Sequence, residues 1–222
     1  MIDNVLLLGL WGVLVGLDMT SVAQTMLSRP LVAGTVAGAI VGDPAGGLVM
    51  GVLLEFFALE VLPVGASRYP DYGLGAVVSV AVVAGSPGVL STGLGGGLGL
   101  AVAYVAGVGV HLARLQNGTD VMRNAERLNA GDKRAIYGVH LRGLMRDFGR
   151  SVVIIAVGLT AAHLLRSYVP ITLQGAVYLR VVIVGAAISA VVSGTVRLTG
   201  RKVANQWFVI GLVGGIAGVA FL

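Results

Sequence analysis

Half of the acidic side chains in this sequence fall within one stretch that is otherwise apolar. Of ten Asp and Glu residues, five lie among glycines and aliphatic runs: Asp18, Asp43, Glu55, Glu60 and Asp71. A carboxylate surrounded by hydrocarbon costs about 2.5–3.5 kcal/mol on insertion scales, so it persists only where it faces protein, water or a polar ligand. We therefore expect the region from residue 18 to residue 71 to hold the binding site.

The composition places the chain in a lipid bilayer. Hydrophobic residues make up 56% of it, charged residues only 11%, and the mean hydropathy is +0.93. Soluble domains carry about 25% charged residues. A soluble chain of 222 residues would need far more charge to cover its water-facing surface. The sequence therefore predicts a multi-pass, all-α membrane protein rather than a soluble globular domain.

Several apolar runs are too short to cross a bilayer as a single helix. A full span needs about 20 residues, and short, glycine-interrupted segments typically mark the binding site of a transporter. Backbone of this kind is tolerated at membrane depth where it is buried or lines a cavity. We expect broken or re-entrant helices. The runs are residues 5–17, 31–41, 48–64, 74–84, 89–112, 152–165, 173–196 and 207–222.

Glycines spaced four residues apart predict close helix packing. This spacing places small residues on one helix face, so neighbouring backbones can approach closely in a lipid environment. Each pair is a weak signal alone, because the chain contains 35 glycines. The pairs are Gly34, Gly38 and Gly42, Gly47 and Gly51, Gly93 and Gly97, Gly95 and Gly99, Gly211 and Gly215, and Gly214 and Gly218.

A basic segment divides the chain. Residues 114–150 contain eight Lys and Arg residues and four acids. Under the positive-inside rule this segment is cytoplasmic, and the basic loop at residues 197–202 agrees with that orientation. We predict a short amphipathic helix from residue 120, ending at residues 129–132, and a second one along the interface at 136–148. The divisions are a membrane block with the substrate site (1–112), a cytoplasmic amphipathic connector (113–150) and a second membrane block (151–222).

Several functional classes are disfavoured. The chain has no cysteine, which excludes disulfides and thiolate metal sites. Its three histidines, His111, His140 and His163, lack metal-ligand spacing, so we expect no metal and no cofactor. The cytoplasmic flanks account for the net charge of +5, and nucleic-acid binding is not needed to explain it.

Two carboxylates are the strongest candidates for ligand contact. Glu55 follows eleven uncharged residues, so on a helix it would lie deep and need a partner. Sugar hydroxyls are donors that a carboxylate accepts. Asp71 follows a segment broken by Pro63, Gly65 and Pro70, and such a bend would aim its side chain into a cavity.

The other polar residues of this region have competing interpretations. Asp43 precedes a proline, which favours a helix cap over a ligand contact. Gln24 could point its amide inward or be an ordinary residue at a helix end. Arg68 could neutralise either Glu60 or Asp71.

The order and spacing of five sequence blocks resemble the IIC component of the mannose/fructose/sorbose class of bacterial phosphotransferase systems. The resemblance covers residues 15–85. The blocks are residues 24–34 (QTMLSRPLVAG), Gly42-Asp43, residues 46–55 (GGLVMGVLLE), residues 64–66 (VGA) and Pro70-Asp71.

This resemblance implies a sugar-translocating subunit that is not itself an enzyme. It implies an inner-membrane, multi-pass protein with an elevator-type architecture that assembles with a IID membrane subunit as an oligomer in the lipid. Phosphoryl groups would pass along soluble IIA and IIB carriers, and IIB would phosphorylate the sugar. The residues closest to the sugar would be Gln24, Glu55, Gly65, Ala66 and Asp71.

Two departures from the family pattern leave the substrate open. Glu60 stands where a small or apolar residue is common, and Ser67-Arg68-Tyr69 replaces a blander stretch. Glu60 and Arg68 could form an ion pair beside the site. Two other functions also fit the sequence: a cation- or proton-coupled transporter that uses Glu55 and Asp71, and a non-transporting scaffold or receptor.

Overall fold

The computed structural model describes residues 2–61, 68–84, 88–170 and 172–199, with a few isolated positions beyond them. These ranges contain α-helices and no β-strand. The helices are α1 (Ile2–Asp18), α2 (Pro30–Val41), α3 (Pro44–Glu60), α4 (Tyr72–Val83), α5 (Gly88–Arg123), α6 (Ala125–Asn129), α7 (Lys133–Tyr168) and α8 (Leu173–Thr199).

Within the described ranges, three helices are long and apolar enough to cross a membrane. They are Thr92–Arg123, Lys133–Tyr168 and Leu173–Gly194. The predicted all-α membrane fold is confirmed at this level. By contrast, α2 and α4 have 12 residues each, about 18 Å at 1.5 Å per residue, which is less than the roughly 30 Å of bilayer hydrocarbon. The short runs at 31–41 and 74–84 are therefore helices of about half a span.

Helices α2 and α3 form a tight antiparallel hairpin built on glycine. Asp43 caps α3 by accepting a hydrogen bond from the Gly46 N–H at 2.8 Å, which confirms the predicted cap. A β-carbon added at Gly38 would lie 2.7 Å from Gly47 Cα, and one at Gly34 would lie 2.9 Å from Gly51 Cα. The four-residue glycine spacing therefore gives backbone-to-backbone contact, as the sequence predicts.

Helix α4 is the centre of the fold. Apart from one partly exposed residue, Ala81, its whole length is buried. It packs antiparallel against α5, where a β-carbon at Gly99 would lie 2.9 Å from the Gly75 carbonyl oxygen. A central helix without exposed polar residues needs its N-terminal N–H groups satisfied internally. That requirement falls on Asp71, which precedes α4.

Contacts with α7 show where α1 and α4 lie along the axis of the helix bundle. Helix α1 runs antiparallel to α7, because Gly12 lies against Ile155 and Gly16 against Ser151. Helix α4 runs parallel to α7, since Asp71 pairs with Arg150 and Gly158 lies against Val78. The end of α1, the start of α4 and the middle of α7 therefore meet at one level. This level is where the apolar run at residues 152–165 begins.

The basic segment forms only part of what the sequence predicts: the short helix α6 (Ala125–Asn129) ends at the predicted place, but residues 136–148 do not form a separate helix. Residues 136–148 are the first part of the continuous 36-residue α7, and residues 120–123 are the last turn of α5. The helices continue because Arg146 donates to both Asn117 (2.8 Å) and Asp120 (2.6 Å), which pairs α5 with α7 beyond the apolar run. The predicted break near residues 129–132 is present, with α7 capped by Asp132. The division points 112/113 and 150/151 both lie within helices.

Candidate functional site

A buried ion cluster lies where α1, α4 and α7 meet. The guanidinium of Arg150 contacts Asp147 Oδ1 at 2.8 Å and Asp71 Oδ2 at 3.1 Å, and donates to the Gly16 carbonyl at 3.0 Å. The side chains of Arg150, Asp147 and Asp71 are only 7%, 6% and 0% exposed. Asp71 also caps α4 by accepting from the Leu74 N–H at 3.1 Å. One arginine thus pairs with two carboxylates and joins three helices.

The loop between α1 and α2 is tied to this cluster. The hydroxyls of Thr20 and Ser21 donate to Asp147 Oδ2 at 2.5 and 2.6 Å. Asp18, buried at the end of α1, accepts from the Thr25 N–H at 2.6 Å and from the Ser28 N–H at 2.9 Å. Two carboxylates therefore fix the path of residues 19–29, which have no helix of their own.

The same loop holds three non-glycine residues in the left-handed region. The φ angles are +60° at Ala23, +52° at Gln24 and +68° at Met26. Such conformations cost free energy and persist where the surroundings fix them, often at functional sites. Gln24 is exposed, and its amide donates to the Thr20 carbonyl at 3.3 Å.

A polar cavity of about 220 Å³ lies beside this loop. It brings the loop together with α5 and α7, and its walls carry hydroxyl, amide, carboxylate and guanidinium groups. The polar lining residues are Thr20, Ser21, Gln24, Tyr69, Arg114, Asn117 and Asp147.

A second cavity of about 220 Å³ lies next to the first. Met19 and Tyr69 line both cavities and so separate them. The guanidinium of Arg114 donates to the Tyr69 hydroxyl at 2.6 Å and lies 5.0 Å from the centre of its ring, which holds this side chain between the two. Asp71 and Arg29 line the second cavity.

Glu55 is paired within the protein. Its carboxylate accepts from the Arg29 guanidinium and, at 3.2 Å, from the Leu31 N–H. Its side chain is 13% exposed. Arg29 lines the second cavity, and Glu55 lies behind Arg29 and orients its guanidinium.

The structure brings together part of the predicted site. Gln24 lines the first cavity, Asp71 lines the second, and Glu55 holds Arg29 at the second. Gly65 and Ala66 lie outside the described residues. The proposed pairing of Arg68 with Asp71 is wrong, because Asp71 pairs with Arg150 and Arg68 is exposed. Glu60 is the last residue of α3, and its pairing with Arg68 stays a prediction.

Most residues of the site were not predicted from the sequence: Thr20, Ser21, Arg29, Tyr69, Arg114, Asn117, Asp147 and Arg150. Asp147 and Arg150 were attributed to a water-facing connector. One signal was available, since the two are three residues apart and directly precede an apolar run, as expected for an internal ion pair on one helix face.

Comparisons with known proteins identify the family. The family model described as the sorbose-specific IIC component of the phosphotransferase system matches residues 2–191. The chain belongs to this family.

Several curated relatives are members of the same class. The chain is 28% identical over 195 residues to the sorbose-specific EIIC component of Klebsiella pneumoniae, which covers 84% of this chain and 70% of that protein. It is 30% identical over 119 residues to the mannose-specific EIIC component of Escherichia coli K12, covering 52% of this chain and 43% of that protein. With the sorbose-specific EIIC component of Lacticaseibacillus casei it is 32% identical over 80 residues, which are 36% of this chain and 28% of that protein. The matches thus span less than half the length of the last two relatives.

A solved structure supports the fold. A chain described as a membrane protein superposes with a TM-score of 0.68 at 20% identity, covering 98% of this chain and 94% of that chain. The likeness therefore extends over nearly the whole length of both chains.

Proposed function

We propose that this chain is a sugar permease subunit of a phosphotransferase system, and that the sugar binds in the two cavities on either side of Tyr69. The observation that carries the proposal is the lining of the first cavity. Amide, carboxylate, hydroxyl and guanidinium groups converge there in a chain that is otherwise strongly apolar. A sugar presents several hydroxyls, each both donor and acceptor, and such a lining can satisfy them.

The residues would have distinct roles. Gln24 and Asn117 offer amides with both donor and acceptor atoms, and Asp147 offers acceptor oxygens that now hold Thr20 and Ser21. A sugar hydroxyl that replaced one of these loop hydroxyls at Asp147 would release the loop. In this proposal Asp71 contacts the sugar in the second cavity, and Glu55 acts on it through Arg29. Gly65 and Ala66, which lie outside the described residues, stay predicted sugar contacts.

The position of the cavities fits handover to a cytoplasmic carrier. They lie at the level of Arg150, on the side of the bundle that carries the basic ends of α5 and α7. Under the positive-inside rule this is the cytoplasmic side of the bacterial inner membrane. We infer an inward-facing state from which a sugar reaches a IIB carrier charged by IIA, with a IID subunit completing the membrane complex. Movement of the short α2–α4 segments against the long helices would give an elevator mechanism.

The cation- or proton-coupled alternative is less well supported. It requires Glu55 or Asp71 to exchange an ion during transport, yet each carboxylate is held by an arginine. A cation could reach either carboxylate only by displacing its arginine.

Gln24 offers the most direct test. Its side chain makes one long hydrogen bond, to its own loop, so Gln24→Ala should leave the fold intact. We expect the KM for sugar uptake to rise about three- to tenfold, the loss expected for one hydrogen bond. The measurement is phosphoenolpyruvate-driven uptake in vesicles that also contain the partner subunits.

The matched control is Gln174→Ala, which removes a glutamine near the start of α8 that bonds only within its own helix. Equal KM values for the two variants would remove Gln24 from the site. Uptake that follows a proton gradient without phosphoenolpyruvate would instead favour the coupled transporter.

A further inference from the structure

A third cavity lies far from the sugar site. It has a volume of about 700 Å³, within the range of sites that bury a small organic ligand. It lies between α1 and α7, beside the ends of α2 and α4. Along α7, its outermost residues His163 and Arg166 are 13 and 16 positions beyond Arg150, about 20–24 Å at 1.5 Å per residue. It is therefore a separate site at the opposite end of the bundle.

The lining changes from polar to apolar along the helices. Because α1 and α7 are antiparallel, Asn4 lies at the level of His163, and Leu8 lies at the level of Leu159. Asn4, His163 and Arg166 form the mouth, and Leu8, Ala156 and Leu159 line the apolar end. Leu8 is buried and Leu159 is partly buried, whereas Ala156 and the three residues of the mouth are exposed. The cavity therefore has one polar end and one hydrocarbon-like end.

The mouth has the charge to bind an anion. The Arg166 guanidinium donates to the Ala81 carbonyl at 3.3 Å, which holds it over the end of α4. An arginine has five N–H donors, so most of them stay available to a ligand. None of the lining residues that the structure describes is acidic. Arginine favours phosphate oxygens because it offers paired donors.

We propose that this cavity binds one anionic phospholipid. Its phosphate lies at Arg166 and His163, and one acyl chain lies between α1 and α7 against Leu8 and Ala156. The bound lipid fills a gap between helices that contact each other closely further along, at Gly12 and Gly16. A partner protein would meet the same mouth, but an apolar end that is exposed at Ala156 can admit an acyl chain from the surrounding lipid. The proposal does not depend on sugar transport.

The test compares lipids and variants by native mass spectrometry of the purified full chain, with its partner subunits if they copurify. Dioleoylphosphatidylglycerol and dioleoylphosphatidylcholine are titrated separately, and inorganic phosphate serves as a third ligand. We expect one tightly bound phosphatidylglycerol, with affinity about tenfold weaker in Arg166→Gln, the change expected for one charge-assisted hydrogen bond. The control Arg123→Gln removes an exposed arginine at the end of α5 on the other side of the bundle and should bind as the wild type does.

A second variant tests the apolar end of the cavity. Ala156→Phe places a ring in the cavity and should abolish the tight lipid without altering the mouth. A photoreactive acyl chain on phosphatidylglycerol should label α1 and α7 in the wild type. The proposal is overturned if the two lipids bind equally, if phosphate alone binds as well, or if Arg123→Gln weakens binding as much as Arg166→Gln. It is also overturned if the label appears elsewhere, or if a partner polypeptide crosslinks at position 156 in place of lipid.

Discussion

Replacing Arg150 with alanine is expected to destabilise the chain by about 3–5 kcal/mol, the usual cost of removing one partner from a buried ion pair. The change leaves Asp71 and Asp147, 0% and 6% exposed, without their shared cation. It also leaves the Gly16 carbonyl without its hydrogen bond. The loss follows from the cost of leaving a charge buried and uncompensated.

Thermal unfolding of the purified protein in detergent measures this effect. Arg123→Ala is the control, because it removes an exposed arginine from the end of α5. The triple change Arg150→Met, Asp71→Asn, Asp147→Asn removes all three charges and should recover part of the stability, since apolar or neutral replacement of a buried pair is often tolerated. An unfolding temperature for Arg150→Ala equal to that of the control would mean that the cluster contributes little.

Adding one methyl group at Gly47 is expected to cost about 3 kcal/mol, the upper end of the range for overpacking. The new β-carbon would lie 2.6 Å from Gly38 Cα and 2.9 Å from Gly38 N. Both atoms are backbone, so no side chain can rotate away. Gly47→Ala can therefore be accommodated only by separating α2 from α3, which would also move Asp43 and Arg29.

The same substitution at Gly9 is the matched control. Gly9 lies in α1 with no heavy atom within 4 Å of an added β-carbon. Alanine there should stabilise the helix by up to about 1 kcal/mol through its higher helix propensity. Unfolding temperatures therefore should fall for Gly47→Ala and stay level or rise for Gly9→Ala. A similar response at both positions would exclude close packing as the role of Gly47.

The helical membrane fold could be predicted because it follows from local chemistry. Apolar runs, few charges and paired glycines each act within a few turns of helix, and the α2–α3 hairpin follows directly from Gly34, Gly38 and Gly47. The cap at Asp43 was also predictable, because a cap depends on its next few residues. The error at residues 136–148 arose because the basic composition of this segment resembles that of a surface helix. Its arginines are instead paired with α5.

The site was predictable only in part. Gln24, Glu55 and Asp71 were selected from motif resemblance and from the cost of a charge in hydrocarbon, and all three lie at or directly behind the cavities. Their partners were not predicted. Asp71 is 79 residues from Arg150, and Thr20 is 127 residues from Asp147. No local pattern encodes such pairings.

The sequence by itself determined that the chain belongs in a membrane, that it forms helices, and which charged residues would lie among apolar ones. These properties depend on side-chain hydrophobicity and on contacts within a few residues. Tertiary structure alone decided which charges neutralise each other and which polar groups face a cavity. The sequence contains several arginines that could pair with the buried carboxylates, including Arg68. Only the packing of α1 and α4 along α7 places Arg150 within hydrogen-bond distance of Asp71. A hydrogen-bonded ion pair forms only when its two groups lie within about 4 Å of each other, so the fold must bring them together before it can select among them.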